Sequence, residues 1–152
     1  MSQIGAREGA RLLAYADVME DDNERDRLNQ LSNVVIGAAL RVHSELGPGM
    51  LESAYVACLM FELTDKGLRV EHQKPLPLIY RGHRLDCGYR VDMIVEDGVV
   101  IEVKAIERLQ RVHSAQLLSY LRQLKLKLGL LINFNVKWLQ DGIKRVVNGF
   151  PE

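Results

Sequence analysis

Cysteine is scarce in this sequence, and its scarcity argues against the disulfide-rich and zinc-ribbon classes of protein. Only Cys58 and Cys87 occur among the 152 residues, and neither belongs to a CxxC pair. No apolar run approaches the roughly 18–20 residues that a membrane-spanning helix needs. Residues 1–16 also lack the apolar centre of a secretory signal. We therefore expect two packed free thiols in a cytoplasmic protein that has no membrane segment.

An excess of charge of one sign is also lacking, because 20 Lys and Arg balance 20 Asp and Glu. With one Trp and few other aromatic residues, this balance argues against strong autonomous binding of nucleic acid, so a protein partner or a homo-oligomer would supply further contacts. The charge is unevenly distributed, however. Residues 20–26 are acidic, whereas the stretch 104–127 has one acid, Glu107, against Lys104, Arg108, Arg111, Arg122, Lys125 and Lys127. This cationic stretch is either a nucleic-acid track or a solvated helix face.

A helical pattern of apolar residues begins at Leu28, and we place the start of a single domain there. Residues 1–26 show no sustained period and are interpreted as a flexible tail or a loosely held helix, which leaves 27–150 as the domain. Translation from Met19 would leave that domain untouched. Apolar residues recur at helical steps from Leu28 to Leu46, and a second helix is predicted from Leu51 to Lys66.

The apolar period changes to two after the second helix, which predicts β-strands. An edge strand interrupted by prolines is expected over 68–80, followed in a meander by longer strands over 84–95 and 99–105. Helical spacing returns over 112–127, and strands follow at 129–134 and 143–147. The pattern predicts one α/β domain without internal repeats.

The densest chemical signal is Asp92 followed ten residues later by Glu102-Val103-Lys104. Side chains alternate along a strand, so Glu102 and Lys104 share one face. Asp92 joins them if the connecting loop has three residues (96–98), whereas a two-residue loop would send it to the other face. Gly98 suits the left-handed position of a three-residue hairpin, which favours the first register.

Two carboxylates on an apolar sheet repel each other and lose hydration unless a cation is bound between them. Asp92, Glu102 and a backbone carbonyl, assigned to Val103, would suit Mg²⁺ or Mn²⁺ together with water. Lys104 would then orient a nucleophilic water or neutralise transition-state charge. The alternative is a surface ion pair among Asp92, Glu102, Arg90 and Lys104.

Two further groups of polar residues could face this site. His113, Gln116 and Tyr120 lie on one stripe of the helix that follows Lys104, although each of them could equally be an ordinary boundary residue. Glu52 and Tyr55 lie in the first turns of the second helix, where an acid also stabilises the helix N-terminus.

Several ordered segments together resemble one known family. The sequence GMLESAY at 49–55 has the pattern that names the GxxExxY proteins, and RVHSELGPG, YRVD, EVK, HSAQLLSYL and GLLINFNV accompany it. The resemblance covers 28–148. These proteins are classed with the PD-(D/E)XK nuclease-like superfamily, which implies a restriction-endonuclease-like core in which helices flank a central mixed sheet. Here Val91 stands in place of the proline in the superfamily's name.

The resemblance implies a metal-dependent nuclease acting on DNA or RNA. In active members the Asp and Glu bind Mg²⁺, the Lys assists the attacking water, and a later helix carries Gln-x-x-x-Tyr. Carried over, these roles fall on Asp92, Glu102, Lys104, Gln116 and Tyr120, with Glu52 as the acid from the early helix. Arg108, Arg111, Arg122 and Lys125 are the predicted nucleic-acid contacts. The alternatives are a non-catalytic module that binds nucleic acid or protein, and a small-molecule phosphoesterase, which is disfavoured because no glycine-rich phosphate loop is present.

Overall fold

The chain folds into one α/β domain in which helices cover both faces of a five-stranded mixed sheet. The computed structural model describes residues 3–151, without the side chains of 3–5 and 15–18. The elements are α1 (Gln3–Leu46), α2 (Glu52–Asp65), β1 (Val70–Pro75), β2 (Leu78–Tyr80), β3 (His83–Leu85), β4 (Arg90–Val95), β5 (Val99–Lys104), α3 (Arg111–Leu124), β6 (Leu128–Asn133), a 3-10 turn (Leu139–Gly142) and β7 (Ile143–Val147).

The main sheet has the strand order β1-β4-β5-β6-β7. The strands at its centre are covered on both faces, which explains their continuous apolar sequences. β5 and β6 are parallel and joined by α3, while the other neighbours are antiparallel. α1 and α2 pack on one face against alternate residues such as Ile101 and Val103. α3 covers the other face, where Val100 and Leu131 meet Leu117. The predicted α/β class and the flanked mixed sheet are confirmed.

Helix α1 is much longer than the helix predicted from Leu28. It continues towards the N-terminus as far as Gln3, through the segment that the sequence assigns to a tail or a loosely held helix. Ala, Leu, Arg and Glu favour helix and no proline interrupts the segment, which accounts for the difference. The buried core still begins at Leu28, and Leu12 and Leu13 are exposed. No helix in the described part of the chain is both long and apolar enough to cross a membrane.

The strand predicted over 84–95 is broken into two pieces. Asp86 Oδ1 accepts a hydrogen bond from the backbone N–H of Gly88 at 3.0 Å, and the φ angle of Gly88 is 75°. This turn separates β3 from β4, so that β2 and β3 form a two-stranded sheet of their own. It also leaves Cys87 exposed, which corrects the expectation of two packed thiols.

The hairpin between β4 and β5 has the predicted three-residue loop, because Val95 pairs with Val99. The prediction assigned the left-handed backbone conformation to Gly98, and this was wrong. The left-handed residues are Glu96 and Asp97, both with a φ of 51°. Gly98 matters for space instead. A Cβ atom there would lie 3.0 Å from Leu28 Cδ2 of α1.

Candidate functional site

The candidate site lies where β4 separates from β5. Their pairing runs from Val95 and Val99 to Met93 and Ile101. At the next position, side-chain carboxylates take the place of the backbone carbonyls that would accept hydrogen bonds between the strands. The Asp92 N–H donates to Glu102 Oε1 at 3.1 Å, and the Val103 N–H donates to Asp92 Oδ2 at 2.8 Å. Each carboxylate is therefore fixed by the backbone of the opposite strand, and the two acids are brought together.

Gln73 of β1 contacts the carboxylate of Asp92, and this contact was not predicted from the sequence. Its φ angle of 52° interrupts the pairing of β1 with β4 opposite Asp92. Its Nε2 donates to Asp92 Oδ1 at 3.3 Å. A left-handed glutamine has no sequence signal, because only glycine and, less often, asparagine or aspartate mark that conformation.

Glu102 is a buried acid in an unfavourable electrostatic environment. Only 6% of its surface is exposed. Burial raises its pKa to about 8, and the charge of Asp92 adds to this shift, whereas the hydrogen bond from the Asp92 backbone and the charge of Lys104 oppose it. Neither Asp92 nor Glu102 forms an ion pair with any described residue, which argues against the alternative of a surface ion pair with Arg90 or Lys104.

Lys104 and Glu52 approach this pair from different elements. Lys104 is partly buried two residues beyond Glu102 on β5, while Glu52 begins α2 and stays open to solvent. Partial burial raises the pKa of Glu52; the charge of Lys104 lowers it and that of Asp92 raises it. Helix α2 contacts β5, and these charge effects agree with a first turn of α2 near the β4–β5 hairpin, where Glu52 must lie if it is to act at the site.

The residues of the GxxExxY pattern build the loop that leads to Glu52. The Tyr55 hydroxyl donates to the carbonyl of Gly47 at 2.6 Å and accepts from the Met50 N–H at 3.1 Å. The Tyr55 ring is fully buried and stacks on Phe134, with ring centroids 4.6 Å apart. A single side chain thus ties both ends of the turn before Glu52 to the core.

Gly49 makes the second attachment of this loop. Its φ angle is 97°, a conformation that favours glycine. Its N–H donates to Asn135 Oδ1 at 3.1 Å, after the end of β6. The neighbouring Asn133 is buried and bonds to both backbone groups of Ile106, at 2.9 and 3.1 Å, which ties the end of β6 to the segment after β5. The sequence analysis missed the roles of both asparagines.

The stripe on α3 lines a cleft of about 440 Å³. His113, Gln116 and Tyr120 all border it, together with Tyr89. Tyr120 belongs to the same core cluster as Val91 and Val100, which neighbour the acidic pair on β4 and β5, and burial and then the charge of Glu102 raise its pKa to about 12. His113 has a structural part as well, because its Nδ1 accepts from the Gln110 N–H at 2.9 Å where α3 begins.

The cationic residues are spread over several parts of the surface. Arg108, Arg111, Arg122 and Lys125 are all exposed. Arg108 borders a different cleft, with Asn133 and Lys144, and not the one lined by Gln116 and Tyr120. The described contacts therefore do not join the four into one track, and their role in binding nucleic acid stays a prediction.

The donor set at the acidic pair fits a hard divalent cation. Within residues 3–151, no three His, Cys, Asp or Glu side chains converge closely enough to form a complete metal cage. Asp92 and Glu102 would thus provide two carboxylates, and a backbone carbonyl and water the remaining ligands. Mg²⁺ is often bound in this way, since it keeps several waters. Glu102 is a buried acid whose charged form has no ion-pair partner among the described residues, and this is the structural reason to expect a cation here.

One comparison with known proteins identifies the superfamily of this chain. Residues 29–146 match the family model described as the PD-(D/E)XK nuclease superfamily. The match spans most of the chain and includes Glu52, the acidic pair, Lys104 and the polar stripe of α3. The chain belongs to this superfamily. No curated protein and no solved structure matches it significantly.

Proposed function

We propose that this protein is a Mg²⁺- or Mn²⁺-dependent nuclease of the GxxExxY kind that hydrolyses phosphodiester bonds in DNA or RNA. The observation that carries the proposal is the acidic pair itself, in which Glu102 is buried beside Asp92 and neither acid forms an ion pair with a described residue. Without a cation, burial beside Asp92 favours the protonated form of Glu102 up to about pH 8, whereas a bound cation would offset the charge of both carboxylates and give the buried pair a use.

In this proposal the metal would be held by Asp92, Glu102 and the backbone carbonyl of Val103. When bound, the cation supplies positive charge to the scissile phosphate and lowers the pKa of a bound water. Lys104 orients the attacking water and stabilises the charge that develops on the phosphate oxygens. Glu52 approaches from α2 and adds a third acid at the rim.

Gln116 and Tyr120 are assigned to the substrate side of the site. Both border the cleft on α3, and Tyr120 is protonated at neutral pH as an ordinary tyrosine is, with a pKa that burial raises further to about 12. A protonated tyrosine and a glutamine amide can each donate a hydrogen bond to a phosphate or base. Arg108, Arg111, Arg122 and Lys125 would contribute phosphate contacts at a distance from the site. We further propose a cytoplasmic location, and either a homo-oligomer or a protein partner that extends the nucleic-acid surface.

The test combines metal titration with cleavage. Isothermal titration with Mg²⁺ and Mn²⁺ should show binding by the wild type, and mixed single- and double-stranded DNA and RNA should be cut only when the divalent ion is present. Asp92→Asn should abolish both metal binding and cleavage. Asp97→Asn is the matched control, because Asp97 lies on the same hairpin but is exposed in the turn and paired with Arg69. Nucleic-acid binding without cleavage by the wild type would favour the non-catalytic module instead.

A further inference from the structure

Beside the candidate site, the segment 78–90 forms a separate projection that the proposed chemistry does not use. It contains the β2–β3 hairpin and the turn that leads into β4, and it is called the hairpin segment below. The ladder pairs Leu78 with Leu85 and Tyr80 with His83, outside the main sheet. Every residue from 81 to 90 is exposed. A projection of this kind contributes little to the core, so packing in the core does not determine its amino-acid composition.

The charge of the hairpin segment is positive and uncompensated. It contains Arg81, Arg84 and Arg90 against a single acid, Asp86. None of the three arginines forms an ion pair with a described residue. Asp86 is engaged in holding the Gly88 turn. In a chain whose total charge is balanced, this is a local concentration of available guanidinium groups, which bind phosphate oxygens in bidentate fashion.

Exposed aromatic rings accompany these arginines. Tyr80 is 59% exposed and Tyr89 is 45% exposed, values that leave much of each ring accessible. Tyr89 lines the cleft on α3 and lies edge-on to Tyr120, with ring centroids 6.3 Å apart. Tyr120 belongs to the same core cluster as Val91 and Val100, which neighbour Asp92 and Glu102 on β4 and β5. Because Tyr89 directly precedes β4, the cleft lies between the hairpin segment and the strands that carry the acidic pair.

We propose that the hairpin segment binds a single-stranded stretch of nucleic acid and directs it into the candidate site. Arginine groups and exposed rings on one ribbon match the two recognition elements of single-stranded nucleic acid, its phosphates and its unstacked bases. A base in an intact duplex has no free face for Tyr80, whereas an unpaired base has one. The inference rests on the proposed function because it names the form of substrate that reaches the same site.

The experiment measures binding without cleavage. Fluorescence anisotropy in EDTA compares a labelled single-stranded oligonucleotide with its duplex. Tyr80→Ala should weaken single-strand binding by about 5- to 150-fold, the range that corresponds to about 1–3 kcal/mol per stacked base, and should affect the duplex less. Tyr80→Phe keeps the ring and should bind as the wild type does.

A charge reversal provides the second arm. Arg84→Glu should weaken binding and reduce the salt dependence by about 0.7 for each lost phosphate contact. Lys66→Glu, the matched control, changes the charge equally at the exposed residue after α2 and should leave binding unchanged. Circular dichroism checks that each variant is folded, which is expected because the altered side chains are exposed.

The outcomes separate this inference from the proposed nuclease function. If the wild type binds and cleaves nucleic acid but Tyr80→Ala and Arg84→Glu bind normally, the hairpin inference is overturned and the nuclease function stands. If these variants lose single-strand binding while the wild type cleaves nothing with Mg²⁺ or Mn²⁺, the nuclease function fails and the binding surface stands. A wild type that binds no single strand in EDTA but cleaves nucleic acid with Mg²⁺ or Mn²⁺ would overturn the hairpin inference alone, and one that neither binds nor cleaves would overturn both.

Discussion

Replacement of Glu102 by glutamine tests the electrostatics of the acidic pair in the metal-free protein. The amide keeps the shape of the side chain and can still accept the hydrogen bond from the Asp92 N–H. It removes only the ionisable group. Since the pKa of Glu102 is raised from 4.5 to about 8, the folded state retains a proton that the unfolded chain releases between these two values. The stability of the wild type should therefore fall as the pH rises through this interval.

The size of the effect follows from the pKa shift. Each unit corresponds to about 1.4 kcal/mol, so the contribution of Glu102 to the free energy of unfolding should decrease by about 3 kcal/mol from pH 5 to pH 8. For a protein of this size, that is about 6–12 °C in melting temperature. Glu102→Gln lacks this contribution, so the melting temperatures of the two proteins should diverge by that amount between the same pH values, with the variant more stable at pH 8.

Thermal unfolding followed by circular dichroism measures the divergence directly. Added Mg²⁺ or Mn²⁺ should restore part of the stability of the wild type at pH 8, because the cation binds only the folded, ionised site, and should have little effect on Glu102→Gln. Melting temperatures that run parallel from pH 5 to pH 8, with or without the divalent ion, would refute the electrostatic argument.

Three further tests address other parts of the account. Lys104→Met should retain Mg²⁺ in isothermal titration while cleavage falls on the order of 100- to 1000-fold; loss of metal binding would make Lys104 a structural residue instead. Tyr55→Phe removes both hydrogen bonds to the loop before Glu52, so it should lower cleavage alone but not in a Glu52→Gln background, and additive losses would contradict a positioning role. Joint reversal of Arg108 and Arg111 to Glu should weaken nucleic-acid binding and lower the salt dependence by about one for each lost phosphate contact; unchanged binding would remove these two from the proposed surface.

The regular elements of the core could be predicted from the sequence because apolar periodicity reports burial directly. β5 and β6 are buried on both faces and read as continuous apolar runs, and α2 begins and ends within one residue of its predicted bounds. Helix α1 was underestimated, because a polar helix that leaves the core has no apolar stripe to mark it. The loop of the β4–β5 hairpin was predicted with the right register for a wrong reason, since Gly98 has no left-handed backbone angle and instead allows the close approach of Leu28.

The same distinction between local sequence pattern and tertiary contact decides which residues of the candidate site could be predicted. Asp92, Glu102 and Lys104 could be placed together because strand alternation and loop length fix their relation. Glu52 was a candidate from its place at the start of the second helix, but its role as an acid of the site came only from the family resemblance. Gln73 and Tyr89 were not found, since one depends on an unusual backbone angle and the other on a long-range contact with α3. Contacts between residues distant in sequence leave no periodic signal, and neither do the hydrogen bonds that Asn133 and Asn135 make.

The central claim is that Asp92 and Glu102 together hold a divalent cation. Crystals grown with Mn²⁺ and measured near its absorption edge would test this most directly, because anomalous scattering locates the ion without reference to activity. The account predicts one strong anomalous peak within coordination distance of carboxylate oxygens from both residues, and its loss in Glu102→Gln crystals. Density for both side chains without a peak between them at saturating Mn²⁺, or an ion bound only elsewhere, would contradict it.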